Sequence, residues 1–303
     1  MAFAEGAGTD LISIVLPTHN GAPYIQQSIQ SCLSQTYRHW ELVIVDDAST
    51  DDTASRIARC ADNRIRVVRH ATNRGLPAAL NTGFSSARGD FLTWTSDDNY
   101  YRPAALERML TFLHEHPGAD FVYADYEIVD GAGATTRSLE VQPPEHLLYD
   151  NMIGACFLYR RRVYEAMGRY SEDIALAEDY DYWLRVSTAF RMAPLHENLY
   201  SYRVHAQSLT SQSPRAAVKV AMRKSLARHL RAIPWADART KAAVCMKEAR
   251  LAGSERRFAE SIRYLALAFG LAPGWATVHA GGWLGRLTAG RLFPLRRQRS
   301  MRR

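Results

Sequence analysis

Two adjacent carboxylates, Asp97 and Asp98, close the apolar run Phe91-Leu92-Thr93-Trp94 in the stretch "TWTSDDNYYRP". Like charges side by side repel, so such a pair needs a reason. One reason is capping of a following helix, a job that Asp does well. The other is a divalent cation: Mg²⁺ and Mn²⁺ take oxygen ligands, use one or two carboxylates and complete their shell with substrate phosphates and water. The next helical pattern opens only at Pro103, which favours the cation.

A second pair, Asp46-Asp47 in "ELVIVDDAST", leaves more open. It can form a turn that caps the next helix, or offer a carboxylate to a ring N–H of a nucleobase. Further on, "AEDYDYWLR" carries Glu178 and Asp179 at the apparent start of a helix. Acids in a first turn are stabilised by the helix dipole, and the same position suits a proton acceptor. Trp183 and Tyr182 in that stretch read as core or as the wall of a pocket. His205 in "YRVHAQSLT" reads either as a structural histidine or as a ligand.

These residues cooperate only if the chain brings them together. "LISIVLPTHN", "ELVIVDD", "RIRVVRH", "DFLTW" and "DFVYADY" are strand-like apolar runs. Between them "APYIQQSIQSCLSQ", "DDTASRIARCAD", "LPAALNTGFSSAR" and "PAALERMLTFLHEH" have helical spacing. Strand and helix alternate at βαβ spacing, which predicts an α/β fold with a mostly parallel sheet flanked by helices. In such sheets ligands bind outside the carboxyl ends of the strands. Thr18, Asp46-Asp47 and Asp97-Asp98 each follow a strand, so all should face one crevice.

After about residue 130 the alternation fades into a turn-rich excursion, "GAGATTRSLEVQPPEHLLYDN", read as a loop over the crevice. "GACFLYRR" is a candidate strand and "EDYDYWLRVSTAF" a candidate helix. Beyond "YRVHAQSLT" the chain turns helical and basic, and a boundary near 212 divides residues 1–212 from a helical region, 213–303.

The bulk numbers fit one large α/β unit with an appendage: 303 residues, 47% hydrophobic and 23% charged. Cys32, Cys60, Cys156 and Cys245 are scattered without a C-x-x-C, as suits reduced thiols rather than a disulfide framework or a zinc site. The first residues lack a signal-peptide pattern, and no apolar stretch reaches the 18 or so residues of a membrane span. A cytoplasmic protein is expected. The net charge of +7 gathers at the end, where Arg291, Arg296, Arg297, Arg299, Arg302 and Arg303 stand without an acid. That tail is either simply solvated or a peripheral anchor on an anionic inner membrane face, where each cation contributes about 1 kcal/mol.

The stretch "SIVLPTHNGAPYIQQSIQSCLSQTYRHWELVIVDDASTDDT" resembles the opening of the family-2 glycosyltransferases. "NRGLPAALNTG", "GDFLTWTSDDNYYRP", "AEDYDYWLR" and "YRVHAQSLT" match in order, so the resemblance covers roughly residues 11–210. It implies a GT-A fold and an inverting, metal-dependent hexosyl transfer. The donor would be a nucleotide-diphosphate sugar such as a UDP-sugar. The acceptor would be a hydroxyl of a glycan or lipid-linked molecule, as in surface-polysaccharide assembly. Residue by residue it implies nucleotide binding by Pro17, Thr18, Asn20, Asp46, Asp47 and Arg74, the last beside Asn73 and Gly75. Asp97-Asp98 would be the metal motif, with Asp98 the direct ligand to Mn²⁺ or Mg²⁺, Asp97 on the nucleotide side and His205 beside the ion. Asp179 would be the general base, with Glu178 and Trp183 on the acceptor side. Many members carry an acid where this chain has Thr95, and the pattern says nothing of the Arg-rich helices.

Other classes fit less well. A sugar-phosphate nucleotidyltransferase or a dinucleotide dehydrogenase wants a glycine-rich loop after the first strand, where this chain has "PTHNGAP". Its basic residues follow no recognisable nucleic-acid motif. The alternative kept is a non-catalytic nucleotide-sugar-binding or scaffold protein on a decayed transferase domain, for which Thr95 is the argument.

Overall fold

Ile12–Thr18 (β1) and Trp40–Asp46 (β2) are buried at all seven positions of each. Such runs show no wet face because parallel strands at the centre of a sheet are covered on both sides. The computed structural model describes residues 10–280, the side chain of Thr210 excepted.

β1 lies between β2 and Phe91–Trp94 (β4), and β2 also pairs with Ile65–Arg69 (β3), all parallel. The connecting helices are Ile25–Leu33 (α1), Thr53–Ala58 (α2) and Leu76–Ser86 (α3). On one face Ile12, Ile14 and Leu16 pack with Ile25, Ile29 and Cys32 of α1. They also pack with Leu106, Met109 and Leu113 of Ala105–Glu115 (α4). On the other face α3 lays Ala79 against Val43 and Val45.

The second half is mixed. Phe121–Val129 (β6) pairs antiparallel with Thr135–Leu139 (β7) and with Phe157–Arg160 (β8). β8 in turn pairs antiparallel with β4. Arg161–Met167 (α5) and Glu178–Val186 (α6) lead to Met192–Arg203 (β9), which runs parallel to β6 and antiparallel to Tyr100–Tyr101 (β5). Among the described residues the nine-stranded sheet has the order β3-β2-β1-β4-β8-β6-β9-β5, with β7 on β6. The expected parallel sheet thus holds for the first four strands, and β8 reverses the direction beside them. β9 had no strand signature because His196 and Glu197 interrupt its apolar pattern.

Leu209–Gln212 (α7) and Arg215–His229 (α8) follow. Sequence reasoning sets a boundary near 212, whereas the chain divides between His229 and Leu230. α8 stays with the sheet because buried Asp181 of α6 accepts hydrogen bonds from His229 Nε2 at 2.9 Å and Ser225 Oγ at 3.1 Å. The second unit contains Ala238–Ser254 (α9), capped by Asp237 on the Thr240 N–H at 2.7 Å, and Phe258–Leu271 (α10). The two helices are pinned by Ser261 Oγ donating to the Ala249 carbonyl at 2.7 Å. Among the described residues the four cysteines are free thiols, and no helix is long and apolar enough to cross a membrane. Arg291, Arg296, Arg297, Arg299, Arg302 and Arg303 lie outside the described residues.

Candidate active site

The carboxyl ends of β1, β2 and β4 open onto a cavity of about 400 Å³ walled by Pro17, Thr18, Asn20, Asp47, Asp97, Asp98 and His205, among others. The strand register explains the gathering: Thr18 pairs with Asp46 across β1 and β2, while Val15 pairs with Trp94 across β1 and β4. The turns after the three strands therefore emerge side by side.

Thr18 Oγ1 donates to Asp97 Oδ2 at 2.5 Å, tying the first turn to the third. Gly21 lets them meet, since a Cβ at that position would collide with both Asp97 Oδ2 and Thr18 Oγ1. Asn20 adopts a left-handed conformation (φ 58°), which Asn tolerates better than most residues. It ties the first turn to the second by accepting the Thr50 N–H on Oδ1 at 2.8 Å.

Burial pushes the Asp97 carboxyl up to about 7, with the neighbouring Asp98 charge adding to it and the Thr18 hydrogen bond opposing it. Asp98 is raised by burial as well, and the His205 ring, Nε2 3.0 Å from Asp98 Oδ2, pulls the other way. Tyr24 backs that imidazole with ring centroids 4.7 Å apart. Arg203 donates its Nε to the Asp98 carbonyl at 3.0 Å, fixing the turn from beneath. Two acids strained toward protonation plus an imidazole suit a divalent cation. Among the described residues no three ligating side chains converge, so Asp98 and His205 would leave most of the shell to diphosphate oxygens and water, the usual habit of Mg²⁺ sites. The residues present fit the ion on those terms.

Asp47 does more than line the wall. It accepts the Arg74 N–H at 2.9 Å, the Gly75 N–H at 2.8 Å and His70 Nδ1 at 2.6 Å, pinning the loop into α3. Gly75 starts that helix at φ 84°, a conformation glycine alone adopts without strain. Three expected site residues lie elsewhere. Asp46 is buried behind the wall, where its Oδ1 accepts the Ser49 N–H at 2.8 Å and Arg69 stands 3.4 Å from Oδ2; it shapes the turn. Arg74 meets Asp47 through its backbone, and its side chain is exposed outside the cavity lining. Trp183 is 0% exposed. It packs edge-on against Phe121 and Phe157, in the core rather than on the acceptor side, because on α6 its side chain points at the sheet.

A second cavity of about 360 Å³ shares Leu76, Ser96, Asp98, Ser208 and Leu209 with the first and contains Glu178 and Asp179 at the head of α6. Asp179 Oδ2 accepts Asn151 Nδ2 at 2.8 Å and Oδ1 accepts the Tyr180 N–H at 2.6 Å. Burial raises Asp179; burial and then the Asp179 charge push Glu178 up to about 8. Thr95, which stands where many members carry an acid, turns away from both cavities and bonds the Tyr200 hydroxyl at 2.7 Å. Sequence reasoning missed Gly21, Asn151, Tyr24 and Arg203. The N-G step in "PTHNGAP" signalled Gly21. Asn151 had no local signal, because its partner is 28 residues away.

The model of the family described as Glycosyl transferase family 2 matches residues 13–168. TuaG of Bacillus subtilis, whose name assigns it to teichuronic acid biosynthesis as a glycosyltransferase, is 30% identical over 218 residues, covering 69% of this chain and 85% of TuaG. EpsE of the same organism, named as a glycosyltransferase, is 30% identical over 211 residues, 67% of this chain and 76% of EpsE. Some relatives are much longer: the chain spans 32% of a glycosyltransferase of Rickettsia conorii to which it is 30% identical over 201 residues, 61% of this chain. Among solved structures, S. aureus TarS 1–349 in complex with UDP-GlcNAc superposes with a TM-score of 0.66 at 19% identity, covering 86% of this chain and 80% of that one. The mannosyltransferase PcManGT of Pyrobaculum calidifontis, in complex with GDP-Man and Mn²⁺, gives 0.58 at 20% identity, covering 90% and 79%. These likenesses show the fold, and it is the GT-A plan.

Proposed function

The chain belongs to glycosyl transferase family 2, and on that premise we propose that it is an inverting hexosyltransferase of surface-polysaccharide biosynthesis. It takes a sugar from a nucleotide-diphosphate donor, a UDP-sugar, and places it on a hydroxyl of a glycan or lipid-linked acceptor. One observation carries the reading: Asp98 walls both cavities, with the nucleotide-facing turns on one side and Asp179 on the other. A donor in the first cavity with its diphosphate at Asp98 presents its anomeric carbon toward the second. Thr95 does not argue for a decayed scaffold, since it leaves Asp97, Asp98 and Asp179 in place.

Asp179 takes the proton of the acceptor hydroxyl as that oxygen bonds to the anomeric carbon. The bond from that carbon to the diphosphate breaks on the opposite face, and the nucleoside diphosphate leaves with the electron pair. An ordinary Asp, pKa about 3.9, is a weak base. Burial of Asp179 raises it, and Asn151 keeps the carboxylate aimed. Asp98 and His205 would hold a divalent cation, Mn²⁺ or Mg²⁺, which when bound offsets charge on the leaving group. Asp47 acts by holding Arg74 and Gly75, and Pro17, Thr18 and Asn20 shape the nucleotide side of the same cavity.

The test is incubation of the full-length chain with a panel of nucleotide-sugars, with and without Mn²⁺, reading release of nucleoside diphosphate. Slow hydrolysis of one donor, abolished by chelation, is the expected result. No binding or turnover of any donor sinks the reading.

Cytoplasmic placement at an anionic inner membrane face belongs to the same proposal. It is supported by the acid-free run of arginines at the end of the sequence and by Phe258 and Ile262 of α10, each 65% exposed.

A further inference from the structure

The second cavity has an unusual electrostatic wall. Asp98, Asp150, Glu178 and Asp179 all line it, and no Lys, Arg or His does so among the described residues. The two cations that act on Asp98 are committed elsewhere. Arg203 is spent on the carbonyls of Asp98, Asp130 and Gly131 and on the side chain of Gln27, and His205 belongs to the first cavity. The head of α6 opens here, yet Asp179 itself already takes the Tyr180 N–H.

Glu178 adds an independent observation. It is 6% exposed, and its Oε2 meets no hydrogen-bond partner among the described residues. A buried polar atom left unpaired is costly, so a ligand hydroxyl or N–H that reaches it gains. The rings of Trp94, Tyr126 and Tyr202 line the same cavity, flat apolar surfaces suited to the C–H face of a sugar. Phosphate and carboxylate are normally met by Arg, Lys or free backbone N–H groups. Here they would meet the Asp150 and Asp179 carboxylates, while Glu178, pushed up to about 8 by burial and the Asp179 charge, keeps its proton at neutral pH.

We propose that the acceptor presents an uncharged sugar ring to this cavity, and that a ring bearing a phosphate or carboxylate at this subsite is rejected. The proposal rests on the transferase reading in taking this cavity as the acceptor side. Charged groups further along the acceptor lie outside its scope.

The test uses saturation-transfer NMR on the full-length chain with UDP and diamagnetic Mg²⁺ present. Probes are methyl β-glucopyranoside, methyl β-galactopyranoside and methyl N-acetyl-β-glucosaminide against methyl β-glucuronide and glucose 6-phosphate. At least one neutral ring should bind about tenfold or more tightly than either anion, because like charges across a contact are strongly disfavoured. Asp150→Lys, at the exposed rim, should narrow that gap by strengthening the anions. Anions binding as tightly as the neutral rings overturn the proposal, and so does the absence of any neutral binder. Nucleotide binding and donor hydrolysis are read in parallel. Their loss, with the neutral preference intact, defeats the transferase reading and leaves the subsite standing.

Discussion

Asn151 directs its side-chain amide onto Oδ2 of Asp179 at 2.8 Å, from a loop 28 residues earlier in the chain. The other oxygen is held at 2.6 Å by the helix N–H of Tyr180. The carboxylate is therefore fixed at both ends, and each oxygen keeps further acceptor capacity toward the second cavity. Asp179→Asn should lower kcat by roughly 10² or more while nucleotide affinity by calorimetry stays unchanged. Asn151→Ala should lower kcat by about tenfold through loss of aim. Normal turnover in Asp179→Asn means that the base is another group.

Asp98→Ala should weaken Mn²⁺-dependent nucleotide binding by at least about tenfold, measured by titration with the metal present and absent. Equal metal dependence in the variant and the parent removes Asp98 from the ion.

Asp47→Ala unpairs the Arg74 N–H and His70 Nδ1 and leaves the Gly75 N–H to Asn73 Oδ1 alone, at 3.0 Å. Partly buried donors without partners cost about 1–3 kcal/mol each. Urea denaturation should show a loss on the order of 2–4 kcal/mol, accompanied by weaker nucleotide binding. Full stability with weakened binding would instead mark Asp47 as a contact to the base alone.

Glu178 carries a pH signature. Its folded pKa, about 8, lies above the 4.5 of the unfolded chain. Between those values the native state holds a proton that the unfolded chain has released, so the group subtracts stability as pH rises through the window. Glu178→Gln should unfold at a higher temperature than the parent at pH 9, by roughly 1–3 kcal/mol of stability, with no such gain at pH 4. A constant difference across that range would mean that Glu178 stays ionised.

Thr95→Asp restores the acid that many family members carry, yet the side chain here is 0% exposed and paired with Tyr200. The variant should lose on the order of 2–5 kcal/mol of stability and gain no Mn²⁺ affinity. A tighter metal site in Thr95→Asp would show that this position can turn toward the ion.

The nucleotide half of the fold was legible because β1, β2 and β4 are short apolar runs ended by Pro, Asp or polar turns, and parallel pairing follows from the helices between them. The acids of the turns after those strands were legible for the same reason: the turns beyond the carboxyl ends of buried strands open onto the crevice, as Asp47, Asp97 and Asp98 do. β9 was not, because its stability comes from pairing with β6 and β5 rather than from its own pattern. Asp46 and Trp183 show the limit within the site. Strand alternation put Asp47 on the wall and Asp46 behind it. On α6 Asp179 and Trp183 share a face, but Asp179 at the helix head reaches the second cavity while Trp183, one turn deeper, is covered by Phe121 and Phe157. Motif position names the neighbourhood of a residue; strand phase and depth along a helix decide what it meets.

Leu76, Ser96, Asp98, Ser208 and Leu209 form a partition with a face in each cavity. Asp98 is the charged residue of that partition, and so the place where a change of charge in one chamber can reach the other. In the proposed reaction the cation that would sit at Asp98 offsets that carboxylate's charge, so what an incoming hydroxyl meets there would depend on whether a donor has already arrived.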